Sequence, residues 1–348
     1  MSERPSAAAI RDARATNPKA RDRDFAASLG ISEAELLAAY VGHHVKRITP
    51  DPDKIMPAVS ELGEVMALTR NESAVHERVG TYGEYRSGEH AAMVLGAEID
   101  LRIFPRHWAH GFAIEEETER GLRRTLQVFD AAGDAVHKVF MREGSNHDAW
   151  AKVVDGLAVE DSPLDIAERP AVEVAKENPA KRDILLEEWS RMTDTHQFMR
   201  LTSKLGVNRL GAYRMVAGEK WARRLDPSAA DALLNNVSAA GQEVVLFVGN
   251  RGMIQIHWGP LVNIKPMGPW LNVLDPRFDL HLRGDHIAEV YAITKPTKRG
   301  PALSVEMFGE DGLLIAQVFG RRAGEDDDLT DWHDIVSALP AQSLETTT

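Results

Sequence analysis

A chain of 348 residues, 43% apolar and 27% charged, has room for two domains with cores of ordinary composition. Its formal charge of −12 argues against broad nucleic-acid or anionic-membrane binding, so an anionic ligand needs a local cluster of Arg and Lys. The absence of cysteine excludes disulfides, thiolate catalysis, Fe–S clusters and Cys-based zinc sites. No apolar run reaches the roughly 20 residues of a membrane span. The N-terminal segment has no apolar stretch between its charges, so it does not read as a secretory signal, and a cytoplasmic location is expected.

Residues 1–20 alternate Ala, Arg, Asp and Pro without periodicity and read as loosely ordered. Residues 21–42 read as a helix, a turn at Gly30 and a second helix, with Ser32 and Glu35 forming a capping box and Leu36, Leu37 and Tyr40 an apolar stripe. From Val65 to about Asp148 the period becomes two: the segments around TYGEY, EIDLRIF and TLQVFDAAGDAVHKVFM are strands, with a hairpin at Asp130–Gly133. Residues 156–182, charged and punctuated by Pro163, Pro170 and Pro179, read as a linker, part of it helical. Residues 183–218 then give a helix, a break and two further helices. Asp194 and Gln197 have the form of a capping box, and Gly206 and Gly218 that of C-caps.

The pattern then begins again. FDLHLRGDH lies over IDLRIFPRH at an offset of 179 (Asp279 over Asp100), and so do FGEDGLLIAQVF over FDAAGDAVHKVF and Asn250 over Asn71. The helical prefix aligns at 176, Leu205–Gly206–Val207 over Leu29–Gly30–Ile31, and Trp150 and Trp332 close the copies at 182. Matches that keep their order along the chain mean a duplication. The expected class is α+β, a tandem repeat in which each copy is a helical prefix plus a large twisted antiparallel sheet, the halves packed with helices at their junction. The expected segments are a first repeat over 21–155, the linker over 156–182, a second repeat over 183–338 and a disordered tail over 339–348.

Comparing the copies singles out residues. At 176, His196 stands over Ala20, so only the second copy has a histidine at that helix start. There it is either a capped surface histidine or, kept neutral by the positive end of the helix, a metal ligand. On EIDLRIF, Arg102 shares a face with Asp100 and Phe104, either a solvated edge or an anion-binding Arg beside a planar apolar ligand. Arg209, Arg214, Lys295, Lys298, Arg321 and Arg322 gather in the second copy, each readable as an ordinary surface cation. His107 and His110 lack the Glu of a helical zinc motif, adjacent His43 and His44 diverge, and His257 stands opposite the Ile254/Ile256 face of its strand.

The tandem repeat, the DTHQFMRLTSKLG helix, GAEIDLRIFPRHW, GPLVNIKPMGPWLNVLDPRFDLHLR and the final QVFGRR together resemble the cytoplasmic hemin-degrading and haem-trafficking proteins of the HemS/HmuS/ChuS type, from about Asn17 to Val336. The resemblance implies one haem b (iron protoporphyrin IX) held between the two repeats. His196 falls on the family's axial ligand and Arg102 on its distal arginine, the catalytic candidate if the protein is an enzyme, with Phe104 the neighbouring aromatic. Lys295, Gln317 and Arg322 fall near the porphyrin edge and propionates, and Arg209 is a further cofactor-binding cation. Phe319 stands where a tyrosine is expected, which removes a phenol from the distal side. Two functions follow: a haem carrier of iron acquisition, fed by a haem importer and emptied by a haem oxygenase, or a haem-degrading enzyme that releases iron at the same site. Neither membrane insertion nor nucleic-acid binding is expected.

Overall fold

The computed structural model describes residues 4–119, 121–322, 324 and 329–342. They form two compact units. Met1–Arg70, His76–Pro170 and Gly249–Ile256 build the first, and Asn71–Val75, Ala171–Val248 and His257–Thr348 the second. Each repeat thus lends a short stretch to the other's unit. The repeated asparagines explain why: Asn250 Oδ1 accepts from Gly252 N and Met253 N while its amide donates to Val136 O. Asn71 does the same, accepting from Ser73 N and Ala74 N and donating to Ile315 O. A side chain that satisfies the backbone of a tight turn fixes that turn.

The first unit opens with α1 (Ala7–Thr16), α2 (Asp22–Ser28), α3 (Glu33–Ala38), β1 (Val45–Ile48) and α4 (Pro52–Ser60). Six strands follow: β2 (Gly63–Arg70), β3 (Ala74–Gly80), β4 (Glu84–Arg86), β5 (Ala92–Leu95), β6 (Asp100–Ile103) and β7 (His110–Thr118). The copy closes with β8 (Gly121–Phe129), β9 (Ala135–Ser145) and α5 (Trp150–Leu157). The strand order is β1-β7-β8-β9-β2-β3, with β4-β5-β6 joined to Met253–Ile256. The Ser32/Glu35 capping box and the hairpin turn at Gly133 (φ 79°) form as the sequence predicts. Residues 7–16, expected to be loosely ordered, are instead helical. Ser6 caps them, and Ile10 is buried with Phe25, Ala26, Ile31 and Leu36, a single apolar anchor too sparse to show as periodicity. The sequence reading also missed α4, whose Asp51 cap and Pro at N1 mark a helix start.

The second repeat follows the same plan. It contains α6 (Arg182–Ser190), α7 (Gln197–Leu205), α8 (Arg209–Met215), β10 (Ala222–Leu225), α9 (Ala229–Ala240), β11 (Val244–Gly249) and β12 (Met253–Gly259). Then come β13 (Ile264–Met267), β14 (Trp270–Asp275), β15 (Phe278–Arg283), β16 (Ile287–Lys295), β17 (Ala302–Gly309), β18 (Leu314–Gly320) and α10 (Thr330–Ser337). The order is β10-β16-β17-β18-β11-β12, and β15, β14 and β13 are neighbours in that order. Side chains alternate across β16 and β17. Tyr291, Ile293 and Phe308 therefore pack under α6–α8, while Val290, Ala292, Val305 and Met307 pack under α9 and α10. Among the described residues, 158–178 hold no helix, and in the second unit Asn208 straps this stretch down, donating to Val174 O and accepting from Lys176 N. Prolines and like charges spoil helix there, and side-chain capping holds the strap instead. The predicted tail begins docked, since Leu339 is buried and Asp226 N donates to Pro340 O; residues 343–348 lie outside the described residues.

Candidate functional site

The turn between α6 and α7 is organised by Asp194. Its Oδ1 accepts from His196 N at 2.8 Å and from His196 Nδ1 at 2.7 Å. These two bonds hold the Asp194 carboxyl below its usual range. The expected Asp194/Gln197 capping box does not form: His196 occupies the N-cap, and Gln197 reaches back to Thr193, accepting from its N at 2.8 Å. An Asx turn onto the nearer N–H has displaced the cap. Gly206 closes α7 in the left-handed conformation (φ 67°), as predicted, whereas α8 ends at Met215, ahead of Gly218.

The His196 side chain is 94% exposed. Because a carboxylate can only accept, Nδ1 donates to Asp194, and in the neutral ring the lone pair resides on Nε2, the outward nitrogen. A ring oriented through one nitrogen and open at the other is the usual preparation of a metal-ligating histidine.

Beneath α7 and α8 lies a buried ionic cluster. Glu306, fully buried on β17, accepts from Lys295 Nζ at 2.8 Å, from Arg209 NH1 at 2.8 Å and from Ser304 Oγ at 3.0 Å. Burial pushes its carboxyl up, but Lys295 and Arg209 outweigh that and bring it down to about 2. Lys295 is buried too, bonded to Tyr213 Oη at 2.9 Å, with Nζ 4.9 Å from the Phe198 ring centroid. Burial lowers its pKa, with Glu306 opposing. Neither Lys295 nor Arg209 is therefore a loose surface cation, and together they tie the sheet to α7 and α8.

Gln317 and Phe319 stand on the same face: Gln317 is the cross-strand partner of Glu306, and Phe319 of Ser304. Both are partly exposed, and Phe319 meets Phe247 edge-on at 5.6 Å. Arg322 donates to Arg299 O at 3.1 Å, and Lys298 N of the same loop donates to Thr193 O at 3.0 Å beside the Asp194 turn. The second unit thus gathers His196, Lys298 and Arg322 at one turn-and-loop cluster, while Lys295, Gln317 and Phe319 share the sheet face of Glu306 and Arg209 reaches that carboxylate from α8. Arg214 is absorbed by Glu289 and Glu177, and Arg321 by Glu243.

In the first unit, Arg102 is partly exposed; its NH1 donates to Leu101 O at 3.0 Å and to the Asp100 carboxylate. Phe104 is half-buried, its N bonded to Gly252 O at 3.0 Å. His257 and His281 of the second unit are occupied elsewhere. His257, expected opposite an apolar face, is itself buried, stacked on Phe278 at 3.8 Å, and His281 Nδ1 meets Asn272 Oδ1 at 2.7 Å. Among the described residues no group of three or more His, Asp or Glu could hold a metal ion, and no helix is long and apolar enough to cross a membrane.

The sequence reading missed Glu306 and Tyr213. A signal existed: at the repeat offset of 176, Arg209 stands over Glu33. In the first unit Glu33 accepts from Lys138 Nζ at 2.6 Å and from Arg70, a buried cluster of opposite polarity at the helix start. Burial and Arg70 push the Lys138 ammonium down to about 7.

The profile of the haemin-degrading HemS.ChuX domain matches this chain twice, over residues 30–157 and 206–339. The chain belongs to the HemS/ChuX family. The hemin transport protein HemS of Yersinia enterocolitica is 39% identical to it over 94% of this chain and 95% of the relative. HmuS of Yersinia pestis, also a hemin transport protein, is 37% identical over the same shares. Among solved HemS/ChuX structures, holo-PhuS, a heme-binding protein from Pseudomonas aeruginosa, superposes with a TM-score of 0.90 at 41% identity, covering 96% of this chain and 98% of that one. ChuS, described as an E. coli heme oxygenase, superposes at 0.84 with 35% identity over 94% and 98%. The family thus joins haem binding and transport with members described as degrading enzymes.

Proposed function

We propose that this chain is a cytoplasmic haem carrier of iron acquisition, taking haem b from an importer and handing it to a haem oxygenase. The observation that carries the reading is the His196 ring: Nδ1 is tied to Asp194, Nε2 is open to solvent, and the ring stands at the start of a short helix. Iron needs that lone pair. The cargo's carboxylates need cations, and Lys298 and Arg322 beside the turn can supply them. Gln317 and Phe319 offer a partly apolar wall, whereas Lys295 and Arg209 act chiefly by holding α7 and α8 on the sheet. Arg102 and Phe104 keep their proposed part as distal donor and neighbouring aromatic. A single ligand on a short helix suits release, since a small shift of that helix loosens the iron.

The test is a haem titration followed at the Soret band. His196→Ala is expected to weaken binding far more than His281→Ala or His257→Ala, and equal effects would refute the assignment. Arg102→Ala is expected to change the spectrum of the loaded protein.

Degradation at the same site is the second reading, favoured by the heme oxygenase among the relatives. Haem would supply the redox chemistry, and Arg102 would be the catalytic donor. Phe319, which brings no phenol, weighs for carriage. Loaded protein given a reductant and oxygen in the presence of catalase decides between them. A defined linear tetrapyrrole means an enzyme, and bleaching that catalase abolishes means a carrier.

A further inference from the structure

On the face of the second unit's sheet away from α6–α8 lies a cleft of about 360 Å³, between β10, β16, β17 and α10. Its floor is apolar, with Ala292, Leu303 and Val336, and Lys220, Arg223 and His333 stand around it. The size falls in the range of small-molecule sites. Arg223 spends two nitrogens on the carbonyls of Val336 and Leu339. Neither Arg223 nor Lys220 has a carboxylate partner among the described residues. Glu219, the acid at the cleft, is committed to Arg182. The cleft therefore holds uncompensated positive charge over an apolar floor.

The first repeat is an internal control. The cross-strand pair Thr294 and Leu303 corresponds at offset 179 to Glu115 and Arg124, which are paired in the same register. There a Glu115–Arg124 ion pair at 2.7 Å, with Arg124 lying over the Trp150 ring at 5.8 Å, occupies the equivalent place. Lys46, the counterpart of Arg223, has a carboxylate in Asp155 at 3.4 Å, where the second copy has Ser337. In the first copy the same strands and closing helix carry these ion pairs in place of the second copy's unpaired cations, so the fold does not require a cationic cleft there.

We propose that this cleft binds a small organic carboxylate, its apolar body on Ala292 and Leu303 and its charge towards Arg223 and Lys220. Neutral molecules of the same shape lack the charge term, and inorganic anions cannot use the floor. The site is independent of the haem reading, because it lies on the other face of the sheet from α7.

The experiment is fluorine NMR of the full chain with 4-fluorobenzoate as probe, and 4-fluorobenzamide and inorganic phosphate as comparison ligands. Saturable binding of the benzoate is expected, with no saturable binding of the benzamide and no displacement by phosphate. The double variant Thr294→Glu/Leu303→Arg, which rebuilds the first copy's ion pair, should abolish binding while leaving the haem titration unchanged. Lys220→Ala, at an exposed position, should weaken it and covers the case in which the double variant does not fold. Absence of saturable binding to the wild type, equal binding by Lys220→Ala, or displacement of the probe by phosphate or by haem would each overturn the proposal.

Discussion

Replacing Glu306 by Gln keeps the size of the side chain and removes the carboxylate that pairs with both Lys295 and Arg209 under α7 and α8. Two independent routes give the cost. Removing one partner of a buried ion pair typically costs ~3–5 kcal/mol, because the remaining charges have no water to turn to. The carboxyl stands at about 2 in the fold against an ordinary 4.5, and that shift corresponds to about 3 kcal/mol of stabilisation of the ionised form. Denaturant unfolding followed by tryptophan fluorescence suits the measurement, since Trp189 is buried against Phe198 at 4.8 Å in the same cluster. A loss of about 3 kcal/mol is expected at neutral pH, worth roughly 6–12 °C in melting temperature. The sign of the pH dependence follows from the depressed carboxyl. The wild type has the full contribution above 4.5 and loses it as pH falls towards 2, so wild type and variant should converge over that window. Because Lys295 also touches Phe198 of α7, haem affinity should fall too, by less than in His196→Ala. A loss below about 1 kcal/mol, or a gap that does not narrow in acid, would mean the cluster is not the clamp described.

Asp194→Ala removes the acceptor that orients His196, and haem affinity should drop about tenfold with the histidine still in place; an unchanged titration would mean the ring needs no such support. His137, fully buried between Thr69 Oγ1 at 2.9 Å and Tyr82 Oη at 2.5 Å, is held down to about 3 by burial. The unfolded chain therefore takes up a proton below about 6.5 that the fold refuses, and stability should fall by about 1.4 kcal/mol per pH unit from there towards 3. His137→Gln should flatten that slope, read by urea titration at several pH values. A Cβ on Gly211 would overlap the Lys176 carbonyl, so Gly211→Ala should release the 174–178 strap. Faster hydrogen exchange at Lys176 and Asn178 would show it, and wild-type protection would contradict it.

Several local signals survived into the fold because the interaction that decided them was local. The Ser32/Glu35 box, the Gly206 cap and the Gly133 hairpin each need only neighbours within a few residues, so their residue types announce them. At Asp194 two local solutions competed. The carboxylate reached His196 N first, and nothing in the order of residues ranks that turn above the capping box. The helix at 7–16 was hidden because one isoleucine, held by a core assembled from residues 25–39, replaces the stripe a free-standing amphipathic helix would show.

The order of residues was enough to establish that a module had been duplicated, that it mixes helices with antiparallel strands, and that one copy alone carries a histidine at position 196. Periodicity and repeated spacing are properties of the chain itself. Partnership is not. Lys295 and Arg209 read as ordinary surface cations until the fold brought Glu306 to them, from 11 and 97 residues away along the chain. Whether a charge faces water or another charge is fixed by which strands lie side by side, and the free energy of a buried ion depends on that answer more than on the residue's identity.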